Sequence, residues 1–144
     1  MKLFFSFLTS LFLSTSVFAD QGISDTEILV GMHTDISGPA SMIGKQSVDG
    51  ANMRFEEFNK KGGAYGRTIK FIVEDHQYTV PRAVQASNKL LRKDKIAFML
   101  GSLGTPMNNA VMTDQLSMNV PNLFPLTAAR SMFDPFHKLK FTSG

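Results

Sequence analysis

Apolar runs alternate with stretches of helical spacing along most of this chain. The first run covers residues 27–34 and ends in a polar loop, 35–44, that contains glycine and proline. A short apolar run closed in this way is typical of a buried strand. After the loop, apolar residues recur at the spacing of one helix face, and these are Val48, Ala51, Phe55 and Phe58. The pattern therefore predicts a strand, a loop and a helix, and Gly62 and Gly63 end that helix.

The same unit recurs down the chain. Further strands are expected over 68–75, 96–100, 122–126 and from Leu139. Thr79 and Thr105 are each followed closely by proline, a pair typical of a cap and the first turn of a helix. The packing face of the first of these helices comprises Ala83, Val84, Ala86, Ser87, Leu90 and Leu91. The second helix is expected to run to about residue 118.

Strands and helices that alternate through short connections predict the fold class. It is an α/β fold in which a doubly wound parallel sheet lies between helices on both faces, a three-layer α/β/α arrangement. Loops that leave the carboxyl ends of parallel strands lie along one edge of such a sheet, where ligands bind. The loops concerned are 33–44, 75–79, 101–106 and 126–131.

These loops carry hydroxyl side chains beside predicted helix starts. The hydroxyl residues are Ser37, Ser41, Ser102, Thr105 and Thr127. Hydroxyls and unpaired N–H groups at helix N-termini bind carboxylates and other anions without a lysine. Thr105 and Thr127 are the strongest individual candidates. Any one of these residues is more simply explained as a cap or a turn former, so the prediction concerns the group.

Other chemistries have less support. No two of His33, His76 and His137 have metal-ligand spacing. His33 and His76 could approach each other near strand ends, but a third ligand is missing, so no metal is expected. Asp75 stands where a dinucleotide fold places its ribose-binding acid, yet the first loop lacks the close glycine spacing of that fold. No Ser-His-Asp or paired-carboxylate arrangement stands out. None of these patterns supports a cofactor, and no catalytic residue is predicted.

Composition narrows the choice further. The 144 residues are 43% hydrophobic and 19% charged, which is typical of one small globular domain. There is no cysteine, which excludes disulfides, thiolate metal sites, cysteine nucleophiles and a lipid anchor on an N-terminal cysteine. The net charge of +3 is scattered, and its one cluster, 92–95, includes an acid. No nucleic-acid partner is expected on this pattern.

Residues 1–19 are predicted to be a secretory signal peptide. Lys2 precedes an apolar stretch that ends in small residues at Ala19, the expected cleavage point. An uncleaved membrane anchor is the alternative, but serines and threonines interrupt the stretch, which is short for a span. The predicted domains are the signal peptide, 1–19, and the ligand-binding part, 20–144. The mature protein is expected in an exported compartment, most simply a bacterial periplasm, without a lipid anchor.

Several segments in fixed order point to one known family. They are Ser37-Gly38-Pro39, Gly44-Lys45-Gln46, Asp49 to Asn59, Gly62-Gly63 with Gly66-Arg67, Glu74 to Tyr78, Gly101 to Pro106 and Val120-Pro121. Together they resemble the leucine/isoleucine/valine-binding family of periplasmic binding proteins, the extracytoplasmic receptors of ABC transporters. The resemblance covers essentially all of 20–144. It implies the type I two-lobe fold and a receptor without catalysis.

The resemblance also implies where a ligand binds. Family members close two lobes around an amino acid or a related small molecule and then dock on a membrane permease. The first-lobe contacts carried over to this chain are Ser41, Met42, Ile43, Ser102, Thr105, Pro106, Thr127, Ala128 and Ala129. Hydroxyls and backbone N–H groups in these segments would hold the ligand carboxylate.

The chain departs from the family pattern in its ligand segments. Met42 and Ile43 stand where the family often has an aromatic residue that packs on the ligand. Segment 125–129 matches a branch of the family better than it matches the branched-chain amino acid receptors. Amides, urea-like compounds and small organic acids therefore stay open as ligands.

Length is the largest departure. Family members are roughly two to three times longer, a size that needs two domains. The chain is thus expected to be a truncated N-terminal lobe that binds amino acids weakly or not at all. The alternative function is the ligand-sensing domain of a regulatory receptor on the same fold. A nucleotide-dependent enzyme is the third class, and the missing phosphate loop argues against it.

Overall fold

The computed structural model describes residues 21–142. Its strands and α-helices are β1 (Glu27–Thr34), α1 (Ser41–Lys60), β2 (Thr68–Asp75), α2 (Val80–Asn88), β3 (Phe98–Leu100), α3 (Thr105–Ser117), β4 (Asn122–Leu123) and β5 (Lys140–Phe141). A π-helical turn, Lys89–Lys93, continues α2, and a 3₁₀ turn, Arg130–Met132, follows β4. No helix in this part of the chain has the length and apolarity to cross a bilayer. The predicted signal peptide, 1–19, lies outside the described residues.

All five strands belong to one parallel sheet. Their order is β2-β1-β3-β4-β5. Strands β1 and β2 pair from Glu27↔Thr68 to Thr34↔Asp75 along their full length, whereas β3, β4 and β5 pair over two positions each. The predicted α/β class with a parallel sheet is confirmed.

Helices lie on both faces of the sheet. A Cβ on Gly31 would lie 2.5 Å from the Ile96 side chain and 3.3 Å from that of Leu90, so Gly31 faces α2. Thr34 has the opposite parity on β1 and faces α1, since a Cβ on Gly44 would lie 3.0 Å from its hydroxyl. Helices α2 and α3 pack together on their shared face. This is the predicted three-layer arrangement.

The main core lies between the sheet and the π-helical turn that continues α2. Its buried side chains are Leu90, Leu91, Ile96, Met99 and Val120. Burying such a side chain contributes about 1.5–3 kcal/mol. The Arg92 guanidinium also holds both oxygens of Asp114 on α3, at 2.6 and 2.7 Å. This ion pair is exposed and contributes at most about 1 kcal/mol. Apolar burial therefore contributes more than this ion pair to holding the elements on this face of the sheet together.

Helix α1 begins earlier than predicted. We expected a loop as far as Gly44, but the buried Asp35 carboxylate accepts N–H groups of Gly38 at 2.5 Å and Ala40 at 2.7 Å. These bonds close the loop within 35–40, and the helix starts at Ser41. Gly44 then lies inside α1, where a Cβ would come within 1.8 Å of the Asp35 carbonyl oxygen. The glycine allows a close approach of helix and strand and does not form a turn.

Two strands are shorter than predicted. Residues 96–100 and 122–126 were expected to be strands, but the strands cover only Phe98–Leu100 and Asn122–Leu123, and Leu126 forms an isolated parallel bridge with Leu103. Phe124 has a φ of 50°, which turns the chain out of β4. A residue with a left-handed backbone interrupts the hydrogen-bond ladder between strands, so β4 ends at Leu123.

Helix α2 differs from prediction in two details. Val84 was placed on its packing face but is 37% exposed, because the buried face is centred on Ala83, Ala86 and Ser87. Thr79 occupies the predicted N-cap position, yet its hydroxyl donates to the His76 carbonyl at 3.2 Å and makes no cap bond. The helix start is thus held by the loop before it.

Candidate functional site

Four loops leave the carboxyl ends of β1, β2, β3 and β4 at one edge of the sheet, which we call the rim. They span 35–40, 76–79, 101–104 and 124–129. Because all the strands are parallel, the sequence prediction that these outgoing loops share one end of the sheet is confirmed. Carboxyl-end loops of a parallel sheet are the usual place for a ligand. The rim is therefore the candidate site.

Asp75 joins the first two loops of the rim. Its carboxylate accepts the Ile36 N–H at 2.9 Å, the Ser37 hydroxyl at 2.6 Å and the Gln77 N–H at 3.0 Å. Burial on its own would raise the pKa of Asp75, but these hydrogen bonds outweigh burial and lower it. The Asp75 carboxylate is thus already hydrogen-bonded to two loop amides and a hydroxyl. This arrangement gives no support to a ribose-binding role.

Thr105 and Thr127 meet where the loops after β3 and β4 adjoin. Thr105 was expected to cap α3, but Gly104 is the N-cap and Thr105 is the first helical residue. The hydroxyl of Thr105 is hydrogen-bonded to the hydroxyl of Thr127. The Thr127 oxygen also accepts the Ala129 N–H at 3.3 Å. Both threonines are half-buried, so the paired hydroxyls remain within reach of a ligand.

The first turn of α3 adds free N–H groups beside these hydroxyls. The first N–H bonded within the helix is that of Asn108, which donates to the Gly104 carbonyl at 3.0 Å. Pro106 has no N–H, so Thr105 and Met107 carry the amides without a partner inside the helix. Such amides lie at the positive end of the helix dipole. Hydroxyls and amides together make this corner of the rim suited to an anion.

Ser102 lies beneath the rim and does not face solvent. It is completely buried, and its hydroxyl accepts the His33 N–H at 3.3 Å. Its carbonyl accepts the Asn108 side chain and the Leu126 N–H, both at 2.9 Å. The expected ligand contact of this hydroxyl has no geometric support. Ser102 instead ties three elements together under the site.

The remaining predicted site residues border the rim. Ser41, Met42 and Ile43 form the first turn of α1, where Met42 is 73% exposed and Ile43 is 53% exposed. Pro106 and Ala128 are exposed, and Ala129 is half-buried. Apolar groups thus flank the polar corner. They offer a surface that an apolar ligand group can cover.

The rings of His33 and His76 lie together under the loops after β1 and β2, 5.5 Å apart between centroids, as the sequence suggested. Nδ1 of His76 accepts the Tyr78 N–H at 3.0 Å, and Nε2 lies 3.1 Å from the Leu103 carbonyl. Both nitrogens of His33 lack hydrogen-bond partners. Over residues 21–142 no three His, Asp or Glu side chains group closely enough to hold a metal ion.

Both rings favour the neutral state. Burial, followed by the nearby His76, lowers the pKa of His33 to about 3. Burial also lowers the pKa of His76, against the opposing effect of its bond to the Leu103 carbonyl. A neutral His76 with its proton on Nε2 leaves Nδ1 free to accept the Tyr78 N–H. The tautomer therefore supports the loop after β2.

Tyr78 lies in a loop that the sequence placed on the rim, but it was not selected as a ligand contact. The Tyr78 ring is 40% exposed and lies against the Gly104 backbone, where an added Cβ would sit 3.2 Å from a ring carbon. The available signal was the position of Tyr78 at the end of a predicted strand. Its contact with Gly104 depends on the left-handed backbone of Tyr78, which the sequence does not predict.

Comparison with known proteins gives a single family. A family model described as periplasmic binding protein matches residues 27–134. A curated leucine/isoleucine/valine-binding protein from Rhizobium johnstonii is 26% identical over 118 residues, which are 79% of this chain and 31% of the relative. The chain spans 26–31% of the length of the curated relatives it matches.

Solved structures agree with this match. A substrate-binding periplasmic protein from Ralstonia solanacearum is 27% identical with a TM-score of 0.73, and the match covers 81% of this chain and 33% of that one. A fatty acid ABC transporter substrate-binding protein from Thermomonospora curvata is 31% identical with a TM-score of 0.65, and the match covers 72% and 26%.

Proposed function

Because this chain belongs to the periplasmic binding protein family, we propose that it is a solute-binding receptor for an ABC transporter. The family is one of solute-binding proteins and supports the periplasm as the location. A membrane permease is the corresponding partner. The receptor role requires binding and release of a small molecule and no catalytic step.

The proposed ligand is a small molecule with a carboxylate, such as an amino acid. The observation that carries this proposal is the Thr105–Thr127 hydroxyl pair at the first turn of α3. One hydroxyl proton is used within the pair, so the other hydroxyl and two unpaired amides offer three donors to an anion without a compensating lysine. A neutral ligand such as an amide gains less from the helix dipole.

Names of the relatives are compatible with this ligand class. One is a leucine/isoleucine/valine-binding protein and another is a fatty acid transporter component. The molecules in these two names differ in size and in the amino group but share a carboxylate beside an aliphatic chain. We propose that a ligand with this carboxylate and aliphatic chain binds at the rim of this protein. Small organic acids belong to the same class of carboxylate ligands. Amides and urea-like compounds are the alternative, neutral class.

We expect weak affinity. Every group assigned to the site lies on one edge of one sheet, so residues 21–142 contact a bound molecule from one side. With few donors and one covered face, a dissociation constant on the order of 1 mM is reasonable, about −4 kcal/mol.

Ligand-observed NMR tests the proposal with three matched compounds at up to about 20 mM, well above the expected dissociation constant. Leucine and isovalerate carry the carboxylate, and leucinamide replaces it by a neutral amide. Saturation transfer to leucine and isovalerate, with little to leucinamide, is the expected result. Equal transfer to leucinamide, or none to the two carboxylates, would contradict the proposal.

A further inference from the structure

Two consecutive residues in the loop after β2 have a left-handed backbone. Gln77 has a φ of 49° and Tyr78 a φ of 56°, and neither is glycine. This conformation is unfavourable for L-residues because Cβ approaches the following carbonyl oxygen. It persists only where surrounding contacts enforce it, and such strain clusters at ligand sites. The loop therefore calls for an explanation beyond joining β2 to α2.

Hydrogen bonds from three sides enforce the conformation. Asp75 accepts the Gln77 N–H, and the Gln77 side chain donates to the Ser37 hydroxyl at 2.9 Å. His76 Nδ1 accepts the Tyr78 N–H, and the opposite nitrogen is bonded to a carbonyl in the loop after β3. Because the His76 ring is fully buried and bonded at both ends, it holds Tyr78 at a defined place on the rim.

That place is beside Gly104, the N-cap of α3. An added Cβ on Gly104 would meet the Met107 methyl group first and then Cε2 and Cζ of Tyr78, at 3.2 and 3.6 Å, so the ring lies beside the residue directly before Thr105. Gly104 has a φ of 97°, which permits this close approach at the helix N-cap. The ring is 40% exposed, so it is anchored on one side and open on the other.

We propose that Tyr78 is the aromatic wall of the site and determines its preference for aliphatic side chains. Its ring would pack against the side chain of an amino acid whose carboxylate lies at Thr105 and Thr127. This inference rests on the proposed carboxylate site. An aromatic ring fixed by its neighbours provides contact area with little loss of conformational entropy. A ligand without an aliphatic group, such as acetate, gains nothing from it.

Selectivity between leucine and acetate is the measurement that tests Tyr78. Tyr78→Asn removes the ring and keeps a residue that tolerates a left-handed backbone. We expect leucine binding to weaken about 5- to 10-fold, from the lost apolar burial, with acetate binding unchanged. Tyr78→Phe should keep leucine affinity. The matched control is Tyr65→Asn, since Tyr65 also has a left-handed φ, 54°, but is 99% exposed in the turn before β2.

Shifts of the Thr105 and Thr127 amides report both affinities. Equal weakening for leucine and acetate would assign Tyr78 a structural role only and overturn the inference, as would an unchanged leucine affinity. A second readout needs no variant: nuclear Overhauser effects from leucine methyls to the Tyr78 ring, and none to Tyr65, are expected. Failure of the proposed function gives a different result. In that case neither acetate nor leucine shifts the Thr105 and Thr127 amides of the unaltered protein.

Discussion

Thr105→Val and Thr127→Val are each expected to weaken leucine binding about 10-fold or more. A hydrogen bond to a charged group contributes about 1.5–3 kcal/mol, and valine keeps the shape of threonine while removing the hydroxyl donor. The two hydroxyls bond to each other, so each variant also frees its partner. The double variant should therefore lose less than the sum of the single losses. Amide shifts over a leucine titration give the dissociation constants.

The matched control is Thr113→Val, which makes the same substitution on an exposed position of the same helix. It should leave leucine affinity unchanged. Thr105→Ser and Thr127→Ser keep the hydroxyl and should retain most of the binding. If the valine and control variants bind leucine equally well, the hydroxyl pair is not the carboxylate site.

Acid is expected to destabilise the fold through His33. The folded protein holds the pKa of this ring at about 3, against an ordinary value of 6.5. Stability is therefore complete above about pH 6.5, where neither state is protonated. Below that pH, His33 is protonated in the unfolded chain but stays neutral in the folded protein. The free energy of unfolding therefore falls by up to about 1.4 kcal/mol per pH unit toward pH 3. Urea unfolding between pH 7 and pH 4 measures this slope.

His33→Leu should reduce that pH dependence by the His33 contribution and leave the part due to His76, whose pKa burial also lowers. Both ring nitrogens of His33 are buried without partners, so leucine removes no hydrogen bond and is expected to be neutral or stabilising at pH 7. His137→Asn is the control, because it removes a histidine outside the buried pair and should keep the acid slope. A His33→Leu profile as steep as that of the unaltered protein would mean that other groups cause the acid loss.

The parts of the fold that follow from local pattern were predictable. β1 and β2 have the predicted bounds, because each is a long apolar run flanked by turn residues. The shared rim followed from parallel strands and short crossovers. The start of α1 was not predictable from Gly44, since it depends on how the Asp35 carboxylate folds back on the loop amides of Gly38 and Ala40.

Side-chain directions at the rim were the least predictable part. Ser102 in the loop after β3 and Thr105 at the start of α3 are three positions apart, yet one hydroxyl points under the sheet edge and the other to the surface. The difference arises from a partner far away in sequence, the His33 N–H. Tyr78 was missed for a similar reason, because its backbone is held by Asp75 and His76 against its own preference.

A map of amide shifts in the ¹⁵N-labelled protein tests the central claim most directly. On addition of leucine, the account predicts that shifts concentrate at Thr105, Met107 and 127–129, with smaller ones at Tyr78. Amides at the opposite end of the sheet, such as Tyr65 and Lys95, should stay in place. Shifts centred on that opposite end, with Thr105 and Thr127 unmoved, would contradict it.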